Sequence, residues 1–134
     1  MIAEGRALFC ETMKAVLEGE PDLRVEALAS EWHTALALSE ELRPDVLVLD
    51  GNLPDGDGPE MTAVVKKRRP GTGVLFVAES PDEELLDAAL LAGADGFLTK
   101  DGTLLDLIHE IRALARGLRF RPPPMADRVM EQTT

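Results

Sequence analysis

Asp50 stands immediately after the apolar run Val46-Leu47-Val48-Leu49 and opens the loop Gly51-Asn52-Leu53-Pro54-Asp55-Gly56-Asp57-Gly58. A carboxylate just past a buried strand, in a loop shaped by glycine and proline, is well presented to a ligand. An aspartate that simply starts a turn is the plainer alternative. Three other short runs also end beside polar residues. Met1-Ile2-Ala3 precedes Glu4, Val74-Leu75-Phe76-Val77 precedes Ala78-Glu79-Ser80, and Gly96-Phe97-Leu98-Thr99 precedes Lys100. Carboxylates crowded at one place would make a cation site; scattered, they are a solvated surface that aids solubility. Asp55 could add a carboxylate to such a site, although Pro54-Asp55-Gly56-Asp57-Gly58 is first a turn sequence.

The elements that must position these residues alternate along the chain. Val46–Leu49 and Val74–Val77 are continuous apolar runs, the pattern of parallel strands covered on both faces. Met1-Ile2-Ala3 reads as a very short first strand, Arg24–Ala29 as a partly alternating edge strand, and Gly96–Thr99 as a fifth. Helical periods lie between them. Phe9, Met13, Val16 and Leu17 mark the first helix, closed by Gly19-Glu20-Pro21. Glu31 to about Leu42 forms the second, and Met61, Val64 and Val65 mark the third. Ser80-Pro81 is expected to cap and open a fourth helix, with Leu85, Leu86, Ala89 and Leu90 as its stripe. Leu104, Leu107, Ile108 and Ile111 define the fifth, running to about Arg116-Gly117. Strand–helix alternation repeated in this way predicts an α/β fold, a doubly wound five-stranded parallel sheet with five helices. Ligands of such sheets sit beyond the carboxyl ends of the strands, where Glu4, Asp50, Ala78 and Lys100 fall.

The bulk properties narrow the function classes. A chain of 134 residues is the size of one domain. A net charge of −11 argues against direct nucleic-acid binding, which draws on Lys and Arg neutralising phosphates. No apolar run approaches the ~18–20 residues needed to cross a bilayer. The single cysteine, Cys10, cannot close an internal disulfide, so a cytoplasmic setting is expected.

The segment from Asp50 to Gly58 resembles the response-regulator signature Asp-x-x-Met-Pro-x-x-Asp-Gly, matched at Asp50, Leu53 (conservatively), Pro54, Asp57 and Gly58. Gly93 to Lys100 resembles the fifth-strand motif that ends in the family's lysine. Ala7-Leu8-Phe9, Pro44-Asp45 and Asp101 resemble the NarL/FixJ subfamily in particular. The similarity covers roughly residues 2 to 117 and implies the receiver fold, with strand order 2-1-3-4-5. It implies that Asp50 is the phosphoacceptor, attacking phosphorus in line and taking the phosphoryl group from a histidine kinase. It implies that Lys100 pairs with Asp50 and then holds a phosphoryl oxygen. Mg²⁺ would be held by Asp50, Glu4 and the backbone carbonyl of Asn52. Phe97 matches the switch aromatic. No separate enzymatic activity is implied beyond self-phosphorylation and dephosphorylation at Asp50.

Two positions depart from the family pattern. Receivers carry an acidic pair after the first strand, which aligns with Glu4-Gly5. Gly5 thus lacks the second carboxylate, and Mg²⁺ binding is expected to be weak. The Ser or Thr that follows the fourth strand is Ala78 here, which cannot donate a hydrogen bond to a phosphoryl oxygen. Glu79 adds negative charge nearby. Each lost charge-assisted partner costs on the order of 1.5–3 kcal/mol, and two such losses slow phosphotransfer by several decades. An atypical receiver, poorly phosphorylated at Asp50, is the expectation; a phosphorylation-independent dimerisation or ligand-responsive module is the alternative.

The remaining residues carry less. His33 and His109 lack metal-ligand spacing, and Cys10 reads as a packed small residue. Lys66-Lys67-Arg68-Arg69 is a basic helix end that suits the helix dipole. Residues 1–117 are expected to form the receiver. Residues 118–134, with Pro122-Pro123-Pro124, read as a linker toward a helix-turn-helix output domain of a transcription regulator. Homodimerisation through the first and fifth helices is implied by the same resemblance.

Overall fold

Val46–Leu49 and Val74–Val77 pair side by side at the centre of the sheet, as two apolar runs with no polar face must. The computed structural model describes residues 1–117. In chain order the elements are β1 (Ile2–Ala3), α1 (Ala7–Glu18), β2 (Leu28–Ala29), α2 (Trp32–Leu42), β3 (Val46–Asp50), α3 (Gly58–Arg68), β4 (Gly73–Ala78), α4 (Glu83–Leu91), β5 (Gly96–Thr99) and α5 (Leu104–Ala115). The five strands form one sheet, ordered β2-β1-β3-β4-β5, and every pairing is parallel. Every residue of β3 and β4 is buried.

Alternate strand residues face opposite layers. Val46, Val48, Leu75 and Val77 point to the side covered by α1 and α5, packing with Met13, Ile108, Ile111 and Leu114. Leu47, Leu49 and Val74 point the other way, onto Ala35, Met61 and Val65 of α2 and α3. Phe76, Ala78 and Phe97 meet Leu86 and Ala89 of α4. Each fully buried large apolar side chain contributes about 1.5–3 kcal/mol, so these two layers hold the strand ends in register.

One helix start and one edge strand differ from expectation. The fourth helix starts at Glu83, and its cap is Asp82, whose carboxylate accepts from the Leu85 N–H at 3.1 Å. Ser80-Pro81 therefore does not open it; both residues are exposed and precede the cap. Asp82 outcompetes Ser80 because its charge also meets the positive end of the helix dipole. The edge strand expected over Arg24–Ala29 shrinks to Leu28–Ala29, matching the two residues of β1 available to pair with it. At α5, Thr103 and Asp106 form a reciprocal capping box. The basic end of α3 is present as expected, with Lys66, Lys67 and Arg68 in its last turn. Residues 118–134, expected to be a linker, lie outside the described residues.

One close approach shapes the loop after β3. A Cβ at Gly51 would lie 2.6 Å from the Phe76 ring, and one at Gly58 would lie 2.7 Å from it. Phe76 fits only because both loop ends are glycine.

Candidate functional site

The register of the sheet gathers the polar strand ends. Ala3 pairs with Leu49, so the next residues, Glu4 and Asp50, emerge side by side. Ala78 pairs with Thr99, and the Lys100 N–H donates to the Ala78 carbonyl at 2.8 Å. Lys100 is thereby brought to the same carboxyl edge as Asp50. Short strands suffice for this, since only the last residue of each needs to be fixed.

The Lys100 ammonium lies 2.9 Å from Glu4 Oε2 and 3.0 Å from Glu4 Oε1. It stands 3.6 Å from Asp50 Oδ2 and 3.4 Å from Glu79 Oε1. Below, it rests over the Phe9 ring, 4.7 Å from the centroid, a cation–π contact that favours the charged form. The Lys100 side chain is 8% exposed, Glu4 1% and Asp50 4%. Burial pushes the Lys100 ammonium down, but the Glu4 hydrogen bond and the charges of Asp50, Glu4 and Glu79 outweigh it and hold its pKa above the usual lysine value. Burial pushes the Glu4 carboxyl up. Lys100 and the Arg6 N–H draw it back down, Asp50 pushes it up again, and it stays above the ordinary glutamate value.

The carboxylates are also tied to the backbone. Asp50 Oδ1 accepts from the Asn52 N–H at 3.0 Å, and Oδ2 accepts a long bond from the Gly5 N–H at 3.5 Å. Glu4 Oε1 accepts from the Arg6 N–H at 3.1 Å. Glu79 reaches the site from the loop after β4, where its Oε1 also meets Arg6 Nη2 at 3.3 Å.

The other predicted residues are placed as follows. Ala78 is fully buried at the end of β4 and presents a methyl group. Phe97 is buried and stacks on Phe76, with centroids 5.5 Å apart and planes 8° from parallel. Asn52 is exposed beside Asp50. Asp55 is turned away from the pocket: it accepts from the Trp32 N–H at 2.5 Å, the His33 N–H at 3.1 Å and the His33 ring at 2.7 Å. It therefore caps the start of α2 across 23 residues of sequence. Desolvation opposes its ionisation, but these donors together outweigh it and hold its carboxyl at about 2. Sequence reasoning missed this cap and the engagement of Arg6 and Glu79 at the pocket mouth. Cys10 is buried and free, with its thiol pushed up by burial, and His109 is exposed.

The donor set fits a Mg²⁺ ion poorly. Mg²⁺ requires near-octahedral oxygen donors at about 2.0–2.1 Å. Gly5 offers no side chain, both Glu4 oxygens already hold Lys100, and a positive ammonium stands beside Asp50. Among the described residues no group of three His, Cys, Asp or Glu could hold a metal.

Comparison with known proteins places the chain. Residues 1–112 match the response regulator receiver domain model, and the chain belongs to that family. It is similar to the transcriptional regulatory protein DegU of Brevibacillus brevis, 30% identical over 98% of this chain and 56% of that protein. It is also similar to the DNA-binding transcriptional activator DevR/DosR of Mycobacterium tuberculosis, 33% identical over 76% of this chain and 47% of that protein. The chain thus spans about half the length of such relatives. Among solved structures, it resembles the receiver domain of the response regulator NarL from Mycobacterium tuberculosis. That match has a TM-score of 0.82 and 29% identity, covering 87% of this chain and 94% of that one. A LuxR-family two-component response regulator from Aurantimonas matches with a TM-score of 0.88 and 26% identity, over 99% and 95% of the two chains. No helix among the described residues is long and apolar enough to cross a membrane.

Proposed function

We propose that this chain is the receiver domain of a two-component transcription regulator, with Asp50 as phosphoacceptor and with degenerate metal and switch positions. The observation that carries this reading is the buried Asp50–Lys100 pair, 3.6 Å apart at the carboxyl edge of the sheet. In the reading, Asp50 takes a phosphoryl group from a histidine kinase: an O–P bond to its carboxylate forms as the donor's P–N bond breaks. Lys100 holds a phosphoryl oxygen as a point charge. Mg²⁺, where bound, would supply charge neutralisation, and the residues present would hold it only weakly. Ala78 donates no hydrogen bond to a phosphoryl oxygen, and Phe97 stays stacked on Phe76. Phosphorylation is therefore slow.

Residues 1–117 are the receiver in this proposal, and 118–134 lead toward a DNA-binding output domain, with no nucleic-acid contact by the receiver itself. The setting is cytoplasmic, as befits a kinase partner. A second copy of the chain is the expected companion, through α1 and α5, where Leu8 is 79% and Leu105 76% exposed. The engagement of Lys100 by Glu4 favours one second reading, a dimerising interaction module that works without phosphorylation. Intact-mass spectrometry after acetyl phosphate with Mg²⁺ tests the main reading. A slow, partial adduct on Asp50 is expected, and rapid stoichiometric labelling would refute the degenerate site.

A further inference from the structure

The ammonium of Lys100 sits where four acidic oxygens converge, and none of them is more than 3.6 Å away. Its nearest partner is Glu4, which grips it with both oxygens. Glu4 is one methylene longer than an aspartate, and that extra reach lets it fold onto the ammonium while its Oε1 also takes the Arg6 N–H. Glu79 approaches from the opposite loop and is bound in turn by Arg6. The Arg6–Glu79 pair therefore joins the loop after β1 to the loop after β4 beside the Lys100 ammonium.

We propose that the site at Asp50 is neutralised from within: Lys100 is its resident cation and Glu4 is the residue that positions it. This rests on the receiver reading above and specifies how its charge is balanced. Three carboxylates face the pocket, from Glu4, Asp50 and Glu79, and the ammonium of Lys100 and the guanidinium of Arg6 answer two of them. A dication brought onto Asp50 would meet an ammonium already seated beside the same oxygen and would have to detach Glu4 from it. Buried opposite charges in contact are costly to separate because water does not replace the lost partner.

Space is open beside Gly5. A Cβ there would meet Pro54 Cδ at 3.6 Å, Ser30 O at 3.9 Å and Leu53 Cδ2 at 4.0 Å, all ordinary contact distances. A Cβ is thus accommodated without displacing backbone at Gly5, whose N–H already reaches Asp50 Oδ2. A carboxylate on it adds the anionic ligand that the pocket lacks.

Isothermal titration with Mg²⁺ alone, with no phosphodonor, reads the outcome on the full chain. The natural protein is expected to give no saturable binding below the millimolar range. Gly5→Asp is expected to bind about tenfold tighter or better, equivalent to about 1.4 kcal/mol. Lys100→Met, which vacates the resident cation's place, is expected to raise Mg²⁺ affinity as well. Submillimolar binding by the natural protein, unchanged by Gly5→Asp, would overturn the proposal. So would a folded Lys100→Met protein with unaltered affinity; if that variant fails to fold, the comparison of the natural protein with Gly5→Asp decides alone. Because no phosphoryl group is involved, these results stand apart from whether Asp50 is labelled.

Discussion

The Lys100 ammonium lies closer to Glu4, at 2.9 Å, than to Asp50, at 3.6 Å. Removing one partner of a buried ion pair leaves an uncompensated charge, at a cost of about 3–5 kcal/mol. Lys100→Met is expected to lower unfolding free energy by up to about that much, since Glu4 would be left buried without its partner and would take up a proton to limit the cost. The double variant Glu4→Gln/Lys100→Met is expected to recover part of the loss. Urea denaturation of these three proteins and of the single variant Glu4→Gln gives the coupling energy directly; additive losses would contradict the pairing.

Phe76 predicts a second effect. Its ring fills the place that a Cβ would take at Gly58, 2.7 Å away, with the Gly51 carbonyl 2.9 Å off on the other side. The ring cannot retreat because Phe76 is fully buried, and the Gly51 carbonyl is backbone. Gly58→Ala is expected to cost about 1–3 kcal/mol as an overpacking change, seen as a lower urea midpoint with unchanged slope. Gly71→Ala, where nothing lies within 4 Å of an added Cβ, serves as the control.

Asp55 predicts an acid limb. Its carboxyl lies at about 2 in the folded protein against an ordinary 3.8. The unfolded chain therefore binds the proton more readily, and stability falls as pH drops through this interval. The contribution is complete above pH 3.8 and lost progressively toward about pH 2. Asp55→Asn is expected to be less stable than the natural protein at neutral pH, with the difference closing between those two values. Melting followed across that range checks it; a constant gap would contradict it.

Phe97 is packed, with its ring stacked on Phe76 and its side chain buried. Phe97→Ala is expected to cost about 3–5 kcal/mol, measured by denaturant titration. A loss under about 1 kcal/mol would mean the ring contributes little to the α4 layer.

Much of this architecture was legible in the residues. The runs at Val46 and Val74 announce central parallel strands because both their faces are covered, and they place Asp50 at an edge. The carboxyl-edge rule then gathers Glu4, Ala78 and Lys100 with it. What the residues did not disclose depends on pairs distant in sequence. Asp55 caps a helix that begins 23 residues earlier, so nothing in its own turn sequence signals that role. Ser80 has a good capping type, but Asp82 has the charge and the right distance from Leu85. Arg24–Ala29 has strand-forming residues, yet pairing stops where β1 runs out of partners. Glu79 was legible as added negative charge, while its sharing between Lys100 and Arg6 is a product of the folded loops.

On the proposed reading, Asp50 sits in a receiver site whose chemistry is held back by Gly5 and Ala78. Intact-mass time courses with acetyl phosphate and Mg²⁺, run on the natural protein and on Gly5→Asp/Ala78→Thr, test it most directly. A slow, partial adduct is expected on the natural chain, with labelling faster by at least about a hundredfold on the double variant, equivalent to about 2.7 kcal/mol in the barrier. Rapid, stoichiometric phosphorylation of Asp50 in the natural protein, with no gain in the double variant, would contradict it.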